Sequence, residues 1–465
     1  MFVGELNVGS HDLPIGAELA AFMTEGWADT RRADPRPLAV SAYTAKRRAR
    51  LAERFPGEYL VIPSGRLKVR SNDMDYRFRA DSAFVYLTGD QEPDDVLVID
   101  PSGSARLLVR PRSARSAGQE FYRDRRYGEL WVGRRPDLAE AAALYQVDCA
   151  HIDGLADAVP AGKARVLRGV DANVDALISA GDGDTEFATF LSELRLVKDE
   201  WEVAELQHAV DATARGFEDV VKALPQALAH PRGERHVEGI FGLRARLEGN
   251  GVGYDTIAAS GAHASVLHWM RNDGGLNPDE LLLLDAGVET DQLYTADVTR
   301  TFPLSGRFSP VQRRVYDLVY AAQSAAIATL RPGARFRDFH LAAMRVIAAG
   351  LHDWGLLATA DIADGRYRRY TLCSSGHMLG LDVHDCAKAR AGTYLDGVLE
   401  EGQVLTVEPG LYFQPDDLTL PPELWGVGVR IEDDLVITAD GARLMSGGLP
   451  REASGIEAWL ATLLP

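Results

Sequence analysis

Four carboxylates set in or beside apolar strand-like runs constrain this chain more than any other feature. Leu281–Leu284 is an uninterrupted apolar run that ends in Asp285, and Tyr294–Phe302 alternates around Asp297. Gln403–Tyr412 carries Glu408, and Val427–Ile437 carries Glu432. The first two runs read as a hairpin. In the last, the two-residue period of a strand puts Gly428, Arg430 and Glu432 on one face, opposite Val429 and Ile431. Ionised carboxylates are costly to bury in such places unless a cation neutralises them, and Arg430 alone does not offset four. Two divalent ions would balance them charge for charge, and hard cations take oxygen ligands together with an occasional imidazole. His377, between Gly376 and Gly380, can supply that nitrogen because glycine lets the backbone approach closely. An acid at a strand end such as Asp285 also reads as a turn or cap residue, and Glu432 beside Asp433 and Asp434 as the start of a solvated edge. The residues alone leave these readings open beside the metal site.

The rest of the chain organises around that half. With 465 residues, two domains are expected. A basic amphipathic helix over Ala42–Phe55 is followed by strand-like runs at Glu58–Pro63, Ala83–Thr88, Val96–Asp100 and Arg106–Val109, the pattern of an α/β domain. Gly- and Asp-rich Ser179–Thr185 reads as a connection, so domains are expected over 1–185 and 186–465. In the second, Asp199 and Glu202 form a capping box before Val203, Leu206, Val210, Ala214, Phe217 and Val220, spaced as one buried helix face. Pro310 behind Ser309 starts a further helix, which Arg331-Pro332-Gly333 stops.

A formal charge of −18 argues against nucleic acid or an anionic membrane as a partner. No apolar run is long enough to span a bilayer, and Met1–Leu13 carries Glu5 and Asp12 rather than a basic segment leading into an apolar one. Cys149, Cys373 and Cys386 are too few and too scattered for a disulfide framework. A cytoplasmic protein is expected. Gly249-Asn-Gly251-Val-Gly253 follows a helix rather than a strand, which speaks against a dinucleotide site.

Taken together, Asp285-Ala-Gly-Val-Glu289, Ala296-Asp297-Val-Thr-Arg-Thr-Phe-Pro303, His377-Met-Leu-Gly-Leu-Asp-Val-His384-Asp385, Val407-Glu408-Pro-Gly-Leu-Tyr412 and Val429-Arg430-Ile-Glu432-Asp-Asp434 resemble the signatures of the proline-specific metallopeptidases with the pita-bread fold, and among these aminopeptidase P. Asn72-Asp73 through Ser82, Phe84–Gly89 and Trp131–Arg134 resemble that family's N-terminal domain. The resemblance implies an α/β N-terminal creatinase-like domain and an α+β pita-bread catalytic domain. It implies that Asp285 binds one metal, that Asp297 and Glu432 bind both, and that His377 and Glu408 complete the second. The ions are expected to be Mn2+, with Co2+ or Zn2+ as alternatives, and the substrates peptides with proline in second position. Glu408 is the expected general base. His268 and His384 are expected to donate to the tetrahedral intermediate or to anchor the substrate carbonyl, and Arg430 is expected to orient Glu432 or a neighbouring carboxylate. Asp73, Trp131 and Cys373 are expected to touch substrate, with Trp131 reaching a neighbouring subunit in a homo-dimer or homo-tetramer.

Two positions depart from the family pattern. Asp285 and Asp297 stand twelve residues apart where the family commonly has eleven, so the extra residue must sit in the turn around Thr290-Asp291-Gln292 or form a bulge. Cys373 and Gly376 stand where many relatives have a histidine and a small polar residue. An Xaa-Pro dipeptidase is the nearest alternative function, and a metal-free creatinase-like or binding relative is another.

Overall fold

The apolar runs in the first third of the chain become the middle of a five-stranded mixed sheet. Tyr59–Pro63, Val96–Ile99 and Ala105–Val109 pair antiparallel, and Asp148–His151 and Ala164–Val166 add a parallel strand at either edge. The structure, a computed structural model, describes residues 15–30, 34–115, 119–159 and 164–464. It forms two compact units, Met1–Leu191 and Ser192–Pro465. The division falls inside the helix Asp184–Leu194, beyond the connection read at Ser179–Thr185.

In the first unit the basic helix forms over Ser41–Arg54. Ala83–Thr88, expected as a strand, belongs instead to the helix Ser82–Thr88. The Asp81 carboxylate accepts from the backbone N–H groups of Ala83 and Phe84, and Gly89 ends the helix in the left-handed conformation. Every residue of this helix is buried, so no polar face marks the helical period and the run resembles a buried strand.

In the second unit two long helix pairs pack side by side: Glu200–Ala229 with Gly233–Glu248, and Pro310–Ile327 with Arg337–Asp353. The Asp199–Glu202 capping box opens the first helix, and a Ser309–Gln312 box with Pro310 in the first turn opens the third. Their apolar faces share one core with the strands, joining Phe217, Phe241, Phe339 and Ile347 to Leu282, Phe302, Leu405 and Ile431. Leu281–Ala286 is the central strand of an antiparallel sheet between Val298–Pro303 and Ile257–Ser260. Asp433–Thr438 is central in a second, between Val404–Val407 and Gly441–Leu444.

The long strands read at Gln403–Tyr412 and Val427–Ile437 are each interrupted. Val404–Val407 pairs with Asp433–Thr438, but Gly410–Tyr412 pairs with Gly428–Arg430. Glu408-Pro409 and Ile431-Glu432 occupy the two breaks, where pairing changes and a side chain is free of the ladder's alternation. Asp297 likewise sits just before its strand begins at Val298. The twelve-residue spacing is absorbed in the turn: Leu293 takes positive φ, its N–H donates to the Thr290 carbonyl, and the Thr290 N–H donates to Tyr294. Asp285 remains opposite Thr299 in an unbroken register.

Candidate metal centre

The strand breaks and strand ends converge on one cavity of about 180 Å³. Asp285, Asp297, His377, Glu408 and Glu432 all line it, together with His268, His384, Cys373 and Arg430. His377 reaches this place because Ser375–Leu379 runs beside Val404–Val407. Glu408 donates its N–H to the Ser375 carbonyl at 2.8 Å, Thr406 to His377 at 2.8 Å, and Leu379 to Val404 at 3.0 Å. That approach requires Gly376, since a Cβ there would collide with the Thr406 carbonyl oxygen.

One ligand atom each from Asp297, His377 and Glu432 lies within 4.8 Å of the others. His377 Nε2 is 3.2 Å from Asp297 Oδ2 and 3.4 Å from Glu408 Oε1. Asp285 is held from the other side by Arg430, whose Nη2 donates to Oδ2 at 2.5 Å. Of the alternatives for Arg430, the neighbouring carboxylate is therefore its partner. The guanidinium also donates to Thr299 Oγ1 and to the Tyr412 hydroxyl.

The charges around the cavity are frustrated in a way that a cation would relieve. Burial pushes Glu432 well above the usual carboxylate range, and the charges of Asp297, Glu408 and Asp285 push it further. Burial raises Glu408 to about 7 against the pull of His377. Burial also raises Asp285, although Arg430 opposes the rise. At His377 burial disfavours the charged ring, but the hydrogen bond to Asp297 and the charges of Glu408 and Asp297 prevail and raise it to about 9. Glu432 Oε1 is buried with no hydrogen-bond partner, while its other oxygen accepts from Thr299. Three further oxygen-donor carboxylates, one imidazole and an orphaned acceptor within one cavity fit divalent metal ions.

His384 lies edge-on to His377 with ring centroids 4.5 Å apart. Burial and the nearby His377 lower its pKa, which favours a neutral ring. His268 is exposed at the mouth, and among the described residues its side chain makes no hydrogen bond. Cys373 is exposed on the wall, its thiol pushed up by burial and by Glu408. Asp73 and Trp131 belong to the first unit and are not among the residues lining this cavity. Asp73 pairs with Arg125 at 3.1 Å, and Trp131 is 47% exposed with its indole N–H on the Tyr122 carbonyl.

Sequence reasoning missed Tyr254, whose hydroxyl lies 2.7 Å from Asp285 Oδ1 and 2.5 Å from Asp297 Oδ1. It also missed Thr299, Thr301 and Asp434, which tie the ligand-bearing segments together. A lone tyrosine in a loop has no periodic signature. The glycines around it were the available signal, because a Cβ at Gly253 would strike the Thr295 side chain.

Helix pairs flanking strands whose breaks present a carboxylate-rich donor set define a metal-dependent enzyme of the pita-bread fold, preceded by a separate α/β domain. The profile of metallopeptidase family M24 matches residues 204–439, and that of the aminopeptidase P N-terminal domain matches residues 44–165. "Xaa-Pro aminopeptidase 1" of Streptomyces coelicolor is 55% identical over 97% of this chain and 93% of its own length. "Xaa-Pro aminopeptidase 2" of the same organism is 53% identical over 96% and 97%. The solved structure of Pseudomonas aeruginosa aminopeptidase PepP superimposes with a TM-score of 0.80 at 30% identity, covering 92% of this chain and 99% of that one. A glutamate-to-alanine variant of Escherichia coli aminopeptidase P in complex with substrate gives 0.80 at 28%, covering 92% and 99%. The chain belongs to metallopeptidase family M24 and is a peptidase with divalent metal cofactors.

Proposed function

We propose that the chain is an Xaa-Pro aminopeptidase that removes the N-terminal residue of peptides with proline in second position. The observation that carries this reading is the convergence of Asp285, Asp297, His377, Glu408 and Glu432 on a single cavity. In this reading Asp285, Asp297, His377, Glu408 and Glu432 would hold two divalent ions, Asp285 on one side of the site, His377 and Glu408 on the other, with Asp297 and Glu432 able to serve both. Four carboxylates with one imidazole suit Mn2+ better than Zn2+, which favours nitrogen and sulfur donors, and Co2+ lies between. Bound there, the ions would supply Lewis acidity toward a peptide carbonyl and toward water.

The remaining steps belong to side chains. Glu408 takes a proton from the attacking water and returns it to the departing proline nitrogen. His384, kept neutral, offers a ring N–H to the developing oxyanion, and His268 at the mouth anchors the substrate carbonyl. Arg430 acts through Asp285, fixing which oxygen faces the cavity. A free N-terminal ammonium is drawn to the acidic floor, while Ile257, Leu267, Met270 and Val383 give the proline ring an apolar wall. Among the described residues the single guanidinium lining the cavity is engaged with Asp285, which leaves no spare guanidinium or ammonium there for the carboxylate of an Xaa-Pro dipeptide.

The catalytic unit is assigned to residues 186–465 and the creatinase-like domain to 1–185. No helix among the described residues is long and apolar enough to cross a membrane, and three unpaired cysteines accord with a cytoplasmic location. Exposed Leu130, Trp131 and Val132 support a homo-dimer or homo-tetramer in which Trp131, with Asp73 nearby, meets substrate in a neighbouring subunit. The test is hydrolysis of Xaa-Pro-Yaa, Xaa-Pro and Xaa-Ala-Yaa by one metal-loaded preparation. The tripeptide with proline should have the highest kcat/KM. Cleavage confined to Xaa-Pro would make the chain a dipeptidase.

A further inference from the structure

We propose that Glu234 is a positioning residue for His268, acting through Trp269. Glu234 lies in the first turn of the helix Gly233–Glu248, outside the metal cavity, and its side chain is fully buried. A carboxylate removed from water must find donors, and here they all come from one segment. Oε1 accepts from the Ser260 N–H at 2.9 Å and lies 2.7 Å from His263 Nδ1. Oε2 accepts from the Trp269 indole N–H at 2.9 Å and the Gly274 N–H at 2.7 Å. The Glu234 N–H in turn donates to the Gly274 carbonyl. Both oxygens are thereby spent on closing the loop between Ser260 and Gly274.

That loop carries His268, which has no side-chain hydrogen bond of its own among the described residues, so its ring can be placed only by its backbone. The next residue is the anchor. Trp269 is buried, stacks on His263 at 3.7 Å between ring centroids, and carries the Arg271 guanidinium over its ring at 4.4 Å. Its single polar atom is bonded to Glu234. Further fastenings lie to either side of Trp269: the Ser265 carbonyl accepts from Gln414, buried Asn272 bridges Ala258 and Thr256 and donates to Glu238, and Arg235 reaches the Arg271 carbonyl. Hydrogen bonds to a charged acceptor are the stronger kind, and displacement of a catalytic group by about an ångström can cost a hundredfold in rate. A helix on the outer layer thus sets the position of a histidine at the cavity mouth.

The kinetic part of the test rests on the peptidase reading and the exchange part does not. Glu234→Gln replaces one acceptor oxygen by an NH2 that opposes the Ser260 N–H in one orientation and the Trp269 and Gly274 N–H groups in the other. Its kcat on Xaa-Pro-Yaa should fall on the order of tenfold or more, with metal content unchanged. In an H268A background the same substitution should change kcat by less than about twofold, since groups acting in series are non-additive. Equal losses in both backgrounds would overturn the proposal. Trp269→Phe, which removes the indole N–H together with part of the ring while keeping an aromatic face toward His263, should reproduce the pattern and serves if Glu234→Gln does not fold. Amide exchange should quicken over residues 261–274 and stay unchanged over Leu281–Ala286. If wild-type protein leaves Xaa-Pro peptides intact, the peptidase reading fails, and unaltered exchange over 261–274 in the variant would by itself overturn the anchoring role.

Discussion

Behind the carboxylates that face the cavity lies an ion pair whose removal has a calculable cost. Arg300 and Asp433 are both fully buried and joined at 2.6 Å. The same guanidinium donates to the backbone carbonyls of Thr299, Glu432, Leu449 and Pro450. Arg300→Met keeps most of the volume but strands those acceptors and leaves Asp433 with only the more distant, partly exposed Arg451 guanidinium at 3.8 Å. Breaking a buried pair from one side costs about 3–5 kcal/mol. Asp433 keeps hydrogen bonds from Ser446 and Gln323, which favours the lower end. Against a total stability of about 5–15 kcal/mol this is a large fraction. At roughly 2–4 °C per kcal/mol for a domain of this size, melting should fall by about 6–12 °C. Adding Asp433→Asn removes the stranded charge while keeping the side chain's shape, and should restore part of the loss. Urea unfolding of the wild type and the two variants measures both steps. An Arg300→Met protein within about 1 kcal/mol of wild type, or a double variant no more stable than the single, would refute the reasoning.

Glu408→Gln should lower kcat by at least two to three orders of magnitude, the range for losing an acid–base group, and a loss under about tenfold would remove Glu408 from that role. Purified active protein should hold about two divalent ions per chain and lose activity to chelators; elemental analysis and reconstitution with Mn2+, Co2+ or Zn2+ read both, and full activity after thorough demetallation would contradict the mechanism. Cys373→His should alter kcat or KM on Xaa-Pro-Yaa with little change in metal content, whereas unaltered kinetics would make the thiol a packing residue. In the first unit, burial and the charge of Asp90 hold Asp95 well above its ordinary value of 3.8. A raised folded-state pKa contributes stability that is complete below the unfolded pKa and lost as pH climbs toward the folded one. Asp95→Asn should therefore gain on wild type in thermal melts as pH rises from about 4 to about 8; a constant gap would exclude the effect.

How much of this was legible in the sequence follows from what periodicity can carry. An amphipathic helix with a capping box announces both its start and its buried face, as the one behind Asp199–Glu202 did, and Pro310 behind Ser309 announced the start of another. Ser82–Thr88 announced neither, because a helix buried on all sides has no polar stripe. The runs around Glu408 and Glu432 misled for another reason. Their apolar residues continue through the break, and only a change of partner strand, a tertiary event, separates Val404–Val407 from Gly410–Tyr412 and Gly428–Arg430 from Asp433–Thr438. Pro409 was the one local sign.

The cost of a carboxylate beside an apolar run pointed to a partner cation without deciding for it, the family resemblance supplied the ligand set, and the five proposed ligands sit in one cavity. The groups that set those ligands were not readable, since hydroxyls have no such cost signature. Thr299 on a strand looks like a β-branched strand residue, and only the three-dimensional fold shows its hydroxyl donating to Glu432 and accepting from Arg430. Tyr254 is the sharper case. One phenol proton cannot serve Asp285 and Asp297 at once, so with Oη within 2.7 Å of both, at most one carboxylate receives its hydrogen bond at any moment. Burial and the two carboxylates push that phenol well above its usual range, so it stays a donor. The acid it leaves unserved adds to the uncompensated negative charge of the cavity, beside the Glu432 oxygen that has no partner, which makes the tyrosine part of the reason a cation fits there.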